Sequence, residues 1–299
     1  MDLGDIILEA RTTGATTTAS ATDRLRGDLQ AALRRSIGMS EEPPPPCDDP
    51  ALAYVAPSSV VRVVHSDLAP MLIGGMASLL LQSLHPAAMA GVSSHSRYRE
   101  DPLGRLERTA LFVGTTTFRS RDEAEAAIRR VRKIHGTVNG VSGDGDPYDA
   151  TDPHLVAWVH VAEVRSFLSA YQRYGARPLS RHEADAYVAD MAPVAKDLGA
   201  TEVPTTVDEL DAQLEAFRPE LRLSAPAKEA RNFVLVGVRR TPHEMAAYGA
   251  LSAAAQGTLP TWARRSLRLP AIPLADRLAV RPAAGLLAGV MRWVVPPLA

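Results

Sequence analysis

The histidine at position 135 has the pattern of a buried ligand. Along Glu123–Gly140 the apolar residues Ala124, Ala127, Ile128, Val131, Ile134 and Val138 recur at helical spacing. Ile128, Val131, His135 and Val138 step by three, four and three, so they form one stripe and aim His135 at the core. Arg129, Arg130, Arg132 and Lys133 fall mostly on other sides. The usual use of a lone core histidine is as a hydrogen-bonded structural residue. Its other use is to bind a metal, or the iron of a haem, through a neutral ring nitrogen. His160 has the same two readings, because Val156, Val159, Val164 and Phe167 leave it beside a core face.

Upstream, Arg105 and Thr109 are four apart and share a helix face. On one reading this face is solvated, with Glu107 and Arg108 outside. On the other, Arg105 grips an anionic group through its paired donors while Thr109 donates a hydrogen bond. Haem propionates are carboxylates of the kind Arg105 would suit. His85 closes a very apolar stretch, and Pro86 disfavours helical backbone at His85. It is either a structural histidine at a kink or a polar group beside a cavity, and His95 nearby is able to relay a proton. His65-Ser66-Asp67 reads as a cap.

Other chemistries lack their residues. There is no H-E-x-x-H, no pair of Glu-x-x-His helices, no phosphate-binding G-x-x-x-x-G-K-[ST] and no G-x-S-x-G elbow. Cys47 is the only cysteine, which excludes an intramolecular disulfide and a cysteine-based zinc or iron–sulfur site. The net charge of −1, with scattered basic residues, gives no nucleic-acid footprint.

The elements that must position these residues read as helices. Residues 23–38 have helical spacing with Gly38 as a stop, and 41–50 form a proline-rich connector. Residues 60–65 fit a short strand or the start of a helix. Pro70 to about Met89 is apolar nearly all round and reads as one helix. Asp101-Pro102 opens a helix through about Phe118, and Ser120–Glu123 is a capping box for the helix of His135, with Gly140 near its end. Asp152-Pro153 opens a helix to about Tyr174, stopped by Gly175. Capping boxes recur at Ser180–Glu183, Thr206–Glu209 and Thr241–Glu244, and a last apolar helix spans about Ala283 to Val294. No hairpin series appears. The expected fold is all-α, with residues 1–50 as an arm carrying one helix and 51–299 as a single domain of about ten helices. From Leu68 to Ser94 no residue is charged, but Pro70, Gly74, Gly75, Gln82, His85 and Pro86 suit a buried helix better than a span. The N-terminus lacks a signal-peptide pattern. A cytoplasmic location without membrane association is therefore expected.

Taken in order, GGMASLLLQSLHPAAMAGVSSHSRYREDPLGRLERT, RRVRKIHGTVNG and YDATDPHLVAWVHVAEV resemble the MpaB/latex-clearing-protein family, the rubber oxygenase catalytic domain, over about residues 55–270. The resemblance is strongest to the bacterial MpaB-like branch. It implies an all-helical fold around one b-type haem, with His135 as the proximal iron ligand and Arg105 and Thr109 as polar residues near the haem. It also implies an oxygenase or oxidase acting on a hydrophobic small molecule with dioxygen or peroxide. Rubber oxygenases carry a distal glutamate. The comparable stretch here, His85–Gly91, has no acid, so the base is His85, His95 or absent, and polyisoprene cleavage does not carry over. A haem carrier, sensor or electron-transfer protein, or a cofactor-free helical scaffold, are the competing classes.

Overall fold

The helix Pro153–Tyr174 organises the molecule. In the computed structural model, which describes residues 21–36, 44–96, 99–236, 242–270 and 273–297, it carries fully buried Trp158, Val161, Ala162 and Val164. Asp152 caps it by accepting from the His154 amide, Pro153 fills its first turn, and Gly175 ends it. A side chain on Gly175 would lie 2.5 Å from the Tyr171 carbonyl oxygen, so glycine is required there.

In chain order the helices are α1 (Ala21–Ser36), α2 (Val60–Ser66), α3 (Leu68–Gln82), α4 (Pro86–His95), α5 (Pro102–Phe118), α6 (Arg121–His135), α7 (Pro153–Tyr174), α8 (Arg181–Leu198), α9 (Val207–Ala216), α10 (Ala225–Val236), α11 (Pro242–Thr258), α12 (Thr261–Ser266), α13 (Pro273–Ala275) and α14 (Arg281–Val294). A π turn, Asp276–Val280, joins α13 to α14. The all-α fold is as the sequence predicts, in one domain whose core runs from α2 to α14. Its centre is the α3–α7 contact, the most extensive between any two helices. Close approach depends on Gly74: a Cβ there would lie 2.6 Å from Phe167 Cδ1 and 2.9 Å from Phe167 Cα.

The capping signals hold. Asp101 accepts from the Gly104 amide, and Ser120–Glu123, Ser180–Glu183 and Thr206–Glu209 each form the reciprocal pair. Residues 60–66 are helical, capped by Ser59. Two expectations change. The run from Pro70 to Met89 is not one helix: α3 stops at Gln82, His85 takes extended backbone (φ −84°, ψ 117°), and Pro86 starts α4. Proline supplies the reason, since it bars helical geometry from the residue before it. Gly140 lies past the end of α6, in a hairpin of β1 (Asn139–Val141) and β2 (Pro147–Asp149), with Gly140 opposite Tyr148. The strands are too short to leave an alternating pattern in sequence. Gly38 and Thr241 lie outside the described residues. Among the described residues no single helix is long and apolar enough to cross a membrane; α2 with α3 passes by length and composition only as a pair bent by 90°. Ile73, Ala77, Leu80 and Leu81 of α3 are fully buried in the fold.

Candidate functional site

His135 is the last residue of α6. The buried side of that helix is Ala124 and Ile128, packed against α5 and α8. Towards the C-terminal end the packing loosens, so His135 is half-buried and Ile134 is 54% exposed. His135 Nδ1 is buried and makes no hydrogen bond. Desolvation lowers the ring's pKa, so the imidazole is neutral near pH 7. The ring borders a cavity of about 330 Å³ lined by Arg132, Thr151, Pro153, Leu198 and Gly199. Arg132 donates to the Asp197 carbonyl at 3.3 Å, which ties this end of α6 to the end of α8.

His160 lies deeper, on α7, at 7% exposure. Its Nε2 is buried without a partner, and burial lowers its pKa to about 4. One turn on, Glu163 is closely surrounded by protein although part of it stays accessible. Burial alone pushes its carboxyl up to about 7, with no ion pair to hold it down. The charge of Glu163 is felt by the Tyr187 phenol. Tyr187 Oη lies 3.1 Å from His65 Nε2, and His65 Nδ1 lies 2.8 Å from Thr117 Oγ1. Burial holds His65 neutral, at about 3. Helices α2, α5, α7 and α8 thus enclose a polar chain inside an apolar interior. Sequence reasoning treated His65 as a cap and passed over Glu163 and Tyr187. A signal for Glu163 was present: it stands among Val161, Ala162 and Val164 on a helix that is apolar nearly all round.

The remaining candidates gather around α4. His95, near its C-terminus, is exposed, with Nε2 3.1 Å from Tyr148 Oη. Arg105 donates to the Ser96 hydroxyl. Gly91 lets the hairpin close in: a Cβ there would sit 3.4 Å from Val138 Cγ1 and 3.8 Å from Tyr148 Cδ2. Contacts at α4 therefore link His95, Arg105 and the chain leaving His135. Thr109 shares the Arg105 face, as the spacing predicts, but it is exposed and its hydroxyl donates to the Arg105 carbonyl at 3.0 Å. His85 stands apart. Its Nε2 is 3.3 Å from Glu220 Oε2, and His154 Nε2 reaches the same carboxylate at 3.0 and 3.1 Å, with Trp158 and Phe217 packed on the rings. Burial lowers the pKa of His85, while Glu220 opposes that shift. Of the candidates, His135 alone lines the 330 Å³ cavity.

Residues 62–294 match the family model described as "ER-bound oxygenase mpaB/B'/Rubber oxygenase, catalytic domain". The chain belongs to this family. The match spans α2 to α14 and includes every candidate residue above. No curated protein and no solved structure matches the chain. Membership makes the chain an oxygenase-type catalytic domain and so an enzyme of the oxidoreductase kind.

The donor set can be tested against a haem. Among the described residues no three His, Cys, Asp or Glu side chains are grouped to hold a bare metal ion. A porphyrin supplies most of the donors to its own iron and asks the protein for one axial ligand. A neutral imidazole with an unpaired ring nitrogen at a cavity, which His135 offers, fits that demand.

Proposed function

We propose that this chain is a haem-dependent oxygenase for a hydrophobic small molecule, with His135 as the axial iron ligand. The observation that carries the reading is the buried, unpaired Nδ1 of a neutral His135 at the edge of a cavity, on a chain of an oxygenase family. Buried polar nitrogens are normally hydrogen-bonded, and among the unpartnered histidine nitrogens that of His135 is the one beside a cavity, which suits an axial ligand. When bound, haem would supply the activation of dioxygen or peroxide.

The chain's own residues would do the rest. Arg105, near the C-terminus of α4, suits a propionate carboxylate through its paired donors, and Thr109 lies one turn on. His160, held unprotonated by burial, stays available as a neutral polar group. Glu163 provides the carboxyl that the His85–Gly91 stretch lacks. With a pKa near 7 it holds a proton at its carboxylate oxygen or gives it up close to neutrality, as a general acid–base group must. Tyr187, which feels the charge of Glu163, is itself hydrogen-bonded to His65, and His65 to Thr117. His95, hydrogen-bonded to Tyr148 at the surface, is placed to pass protons to solvent. His85 is engaged with Glu220 and serves as a structural clasp in this scheme.

Oxygen uptake by the haem-loaded protein, screened with apolar alkenes, phenols and lipids, tests turnover. Substrate-dependent uptake that falls at least tenfold in Glu163→Gln supports the assignment. Full haem binding with no uptake for any substrate overturns it in favour of a haem carrier or sensor.

A further inference from the structure

An open groove of about 510 Å³ lies where α7, α11 and α14 meet, lined by Ser169, Gln172 and Arg173 of α7, Thr258 of α11 and Arg281 of α14. It shares no lining residue with the cavity of His135. The turn that leads into α14 is a π turn, closed by the Arg281 amide donating to the Asp276 carbonyl. Residues five apart in an α-helix lie about 140° apart around the axis, so their side chains diverge. The wider π turn lets them meet: Arg281 Nε donates to Asp276 Oδ2 at 3.0 Å. Single π turns joined to α-helices are rare and occur frequently at functional sites. Here the turn carries Arg281 to the groove.

Gly257 makes room for this arrangement. A Cβ there would lie 2.6 Å from Asp276 Oδ1 and 2.9 Å from Arg173 Nη1. Arg173 Nη1 donates to the Gly257 carbonyl at 2.6 Å and lies 3.8 Å from Asp276 Oδ2. Two guanidiniums thus share one carboxylate, which leaves one positive charge in excess. Nη1 and Nη2 of Arg281 make no hydrogen bond among the described residues, and the side chain is 45% exposed. The neutral groups complement them. The hydroxyls of Ser169 and Thr258 already donate to the carbonyls of Arg165 and Ala255, so towards the groove each offers a lone pair. The Gln172 amide is engaged at both ends by Leu179. The groove therefore presents cationic donors together with neutral acceptors.

We propose that this groove binds the phosphate monoester of a small, soluble, hydroxylated molecule. The guanidiniums of Arg281 and Arg173 hold the phosphate, and hydroxyls of the ligand donate to Ser169 Oγ and Thr258 Oγ1. A phosphate suits the site better than a carboxylate, because its three acceptor oxygens point in three directions and meet donors from two guanidiniums at once. Asp276 plays two parts. It fixes both arginines at the groove, and it competes with the ligand for them. The site stands on residues that the haem reading does not use, so either can fail without the other.

The test is isothermal titration calorimetry of the full chain with glycerol phosphate, inorganic phosphate, glycerol and lactate. The expected result is saturable binding of glycerol phosphate, none of glycerol, and affinities for inorganic phosphate and lactate that are each lower by about fivefold or more. Arg281→Gln should weaken glycerol phosphate about tenfold, and circular dichroism checks that the helices persist. Asp276→Asn removes the competing charge and should tighten binding about tenfold, a gain that misfolding does not produce. Absence of binding, or binding that Arg281→Gln leaves unchanged in a folded protein, would overturn the proposal. So would lactate binding as tightly as glycerol phosphate, which makes the groove a carboxylate site, or inorganic phosphate doing so, which makes it a site for the free ion. Binding that Asp276→Asn fails to tighten would contradict the charge argument and overturn it as well.

Discussion

At the scale of single residues, the interior polar chain gives the sharpest expectations. Glu163 is closely surrounded by protein without an ion pair, and its pKa rises from 4.5 to about 7. A raised carboxyl pKa means the folded state holds the proton more tightly than the unfolded one. The associated stability is present below pH 4.5 and is lost as pH rises through 7. Glu163→Gln in haem-free protein should therefore stabilise the fold at pH 8, by at most about 3 kcal/mol, and change it little at pH 4.5. Denaturant titrations at the two pH values check this, and equal effects at both would show that the carboxyl is not desolvated. The stripe that aimed His135 inward was legible because helical spacing is local. Its half-burial was not, because it depends on how the ends of α6, α7 and α8 splay around the cavity. His65 was unreadable for a related reason: its partners Thr117 and Tyr187 are 52 and 122 residues away in sequence.

At the scale of elements, local chemistry decided boundaries and close packing decided their arrangement. Ser120→Ala removes the hydroxyl that accepts from the Glu123 amide at the start of α6, and should cost about 1 kcal/mol of stability. Because α6 ends in His135, haem affinity should also fall if that ligand is the right one. Gly74→Ala forces a methyl group against Phe167 in the α3–α7 contact and should cost about 1–3 kcal/mol, read as a lower thermal midpoint. An unchanged midpoint would mean that the two helices are not in close contact. Gly175 and the caps at Asp101, Ser120, Ser180 and Thr206 were legible, since each acts within a turn or two of itself, whereas Pro86 was read as a kink in one helix and in fact separates two. The role of Gly74 was legible only as a permissive small residue, because Phe167 had to be brought to it. The hairpin was missed because its tie to the fold is Tyr148 packed on Gly91, a long-range contact between two short segments.

At the scale of the whole molecule, one helical domain encloses several imidazoles that it cannot easily protonate. His65 and His160 have pKa values near 3 and 4, against 6.5 when unfolded. A depressed histidine pKa means that the unfolded chain takes up protons the folded one refuses. Stability from this source is present above pH 6.5 and is lost as pH falls towards 4 and then 3. The haem-free protein should lose on the order of 1.4 kcal/mol per pH unit for each of these histidines within that window. Acid unfolding followed by circular dichroism should become shallower in a His65→Gln, His160→Gln double variant, and an unaltered pH dependence would show that neither ring is sequestered. The helical class and the family were legible from the order of motifs, whereas the polar chain through four helices needed the tertiary structure. The most direct test of the central claim is the absorption spectrum, with a pyridine haemochrome assay, of purified wild type and His135→Ala after haem supply. A Soret band with b-type haemochrome in the wild type, lost or shifted in His135→Ala and restored by free imidazole, is the predicted result. A folded wild type that stays colourless, or a spectrum that His135→Ala leaves unchanged while His160→Ala abolishes it, would contradict the assignment of His135 as the ligand.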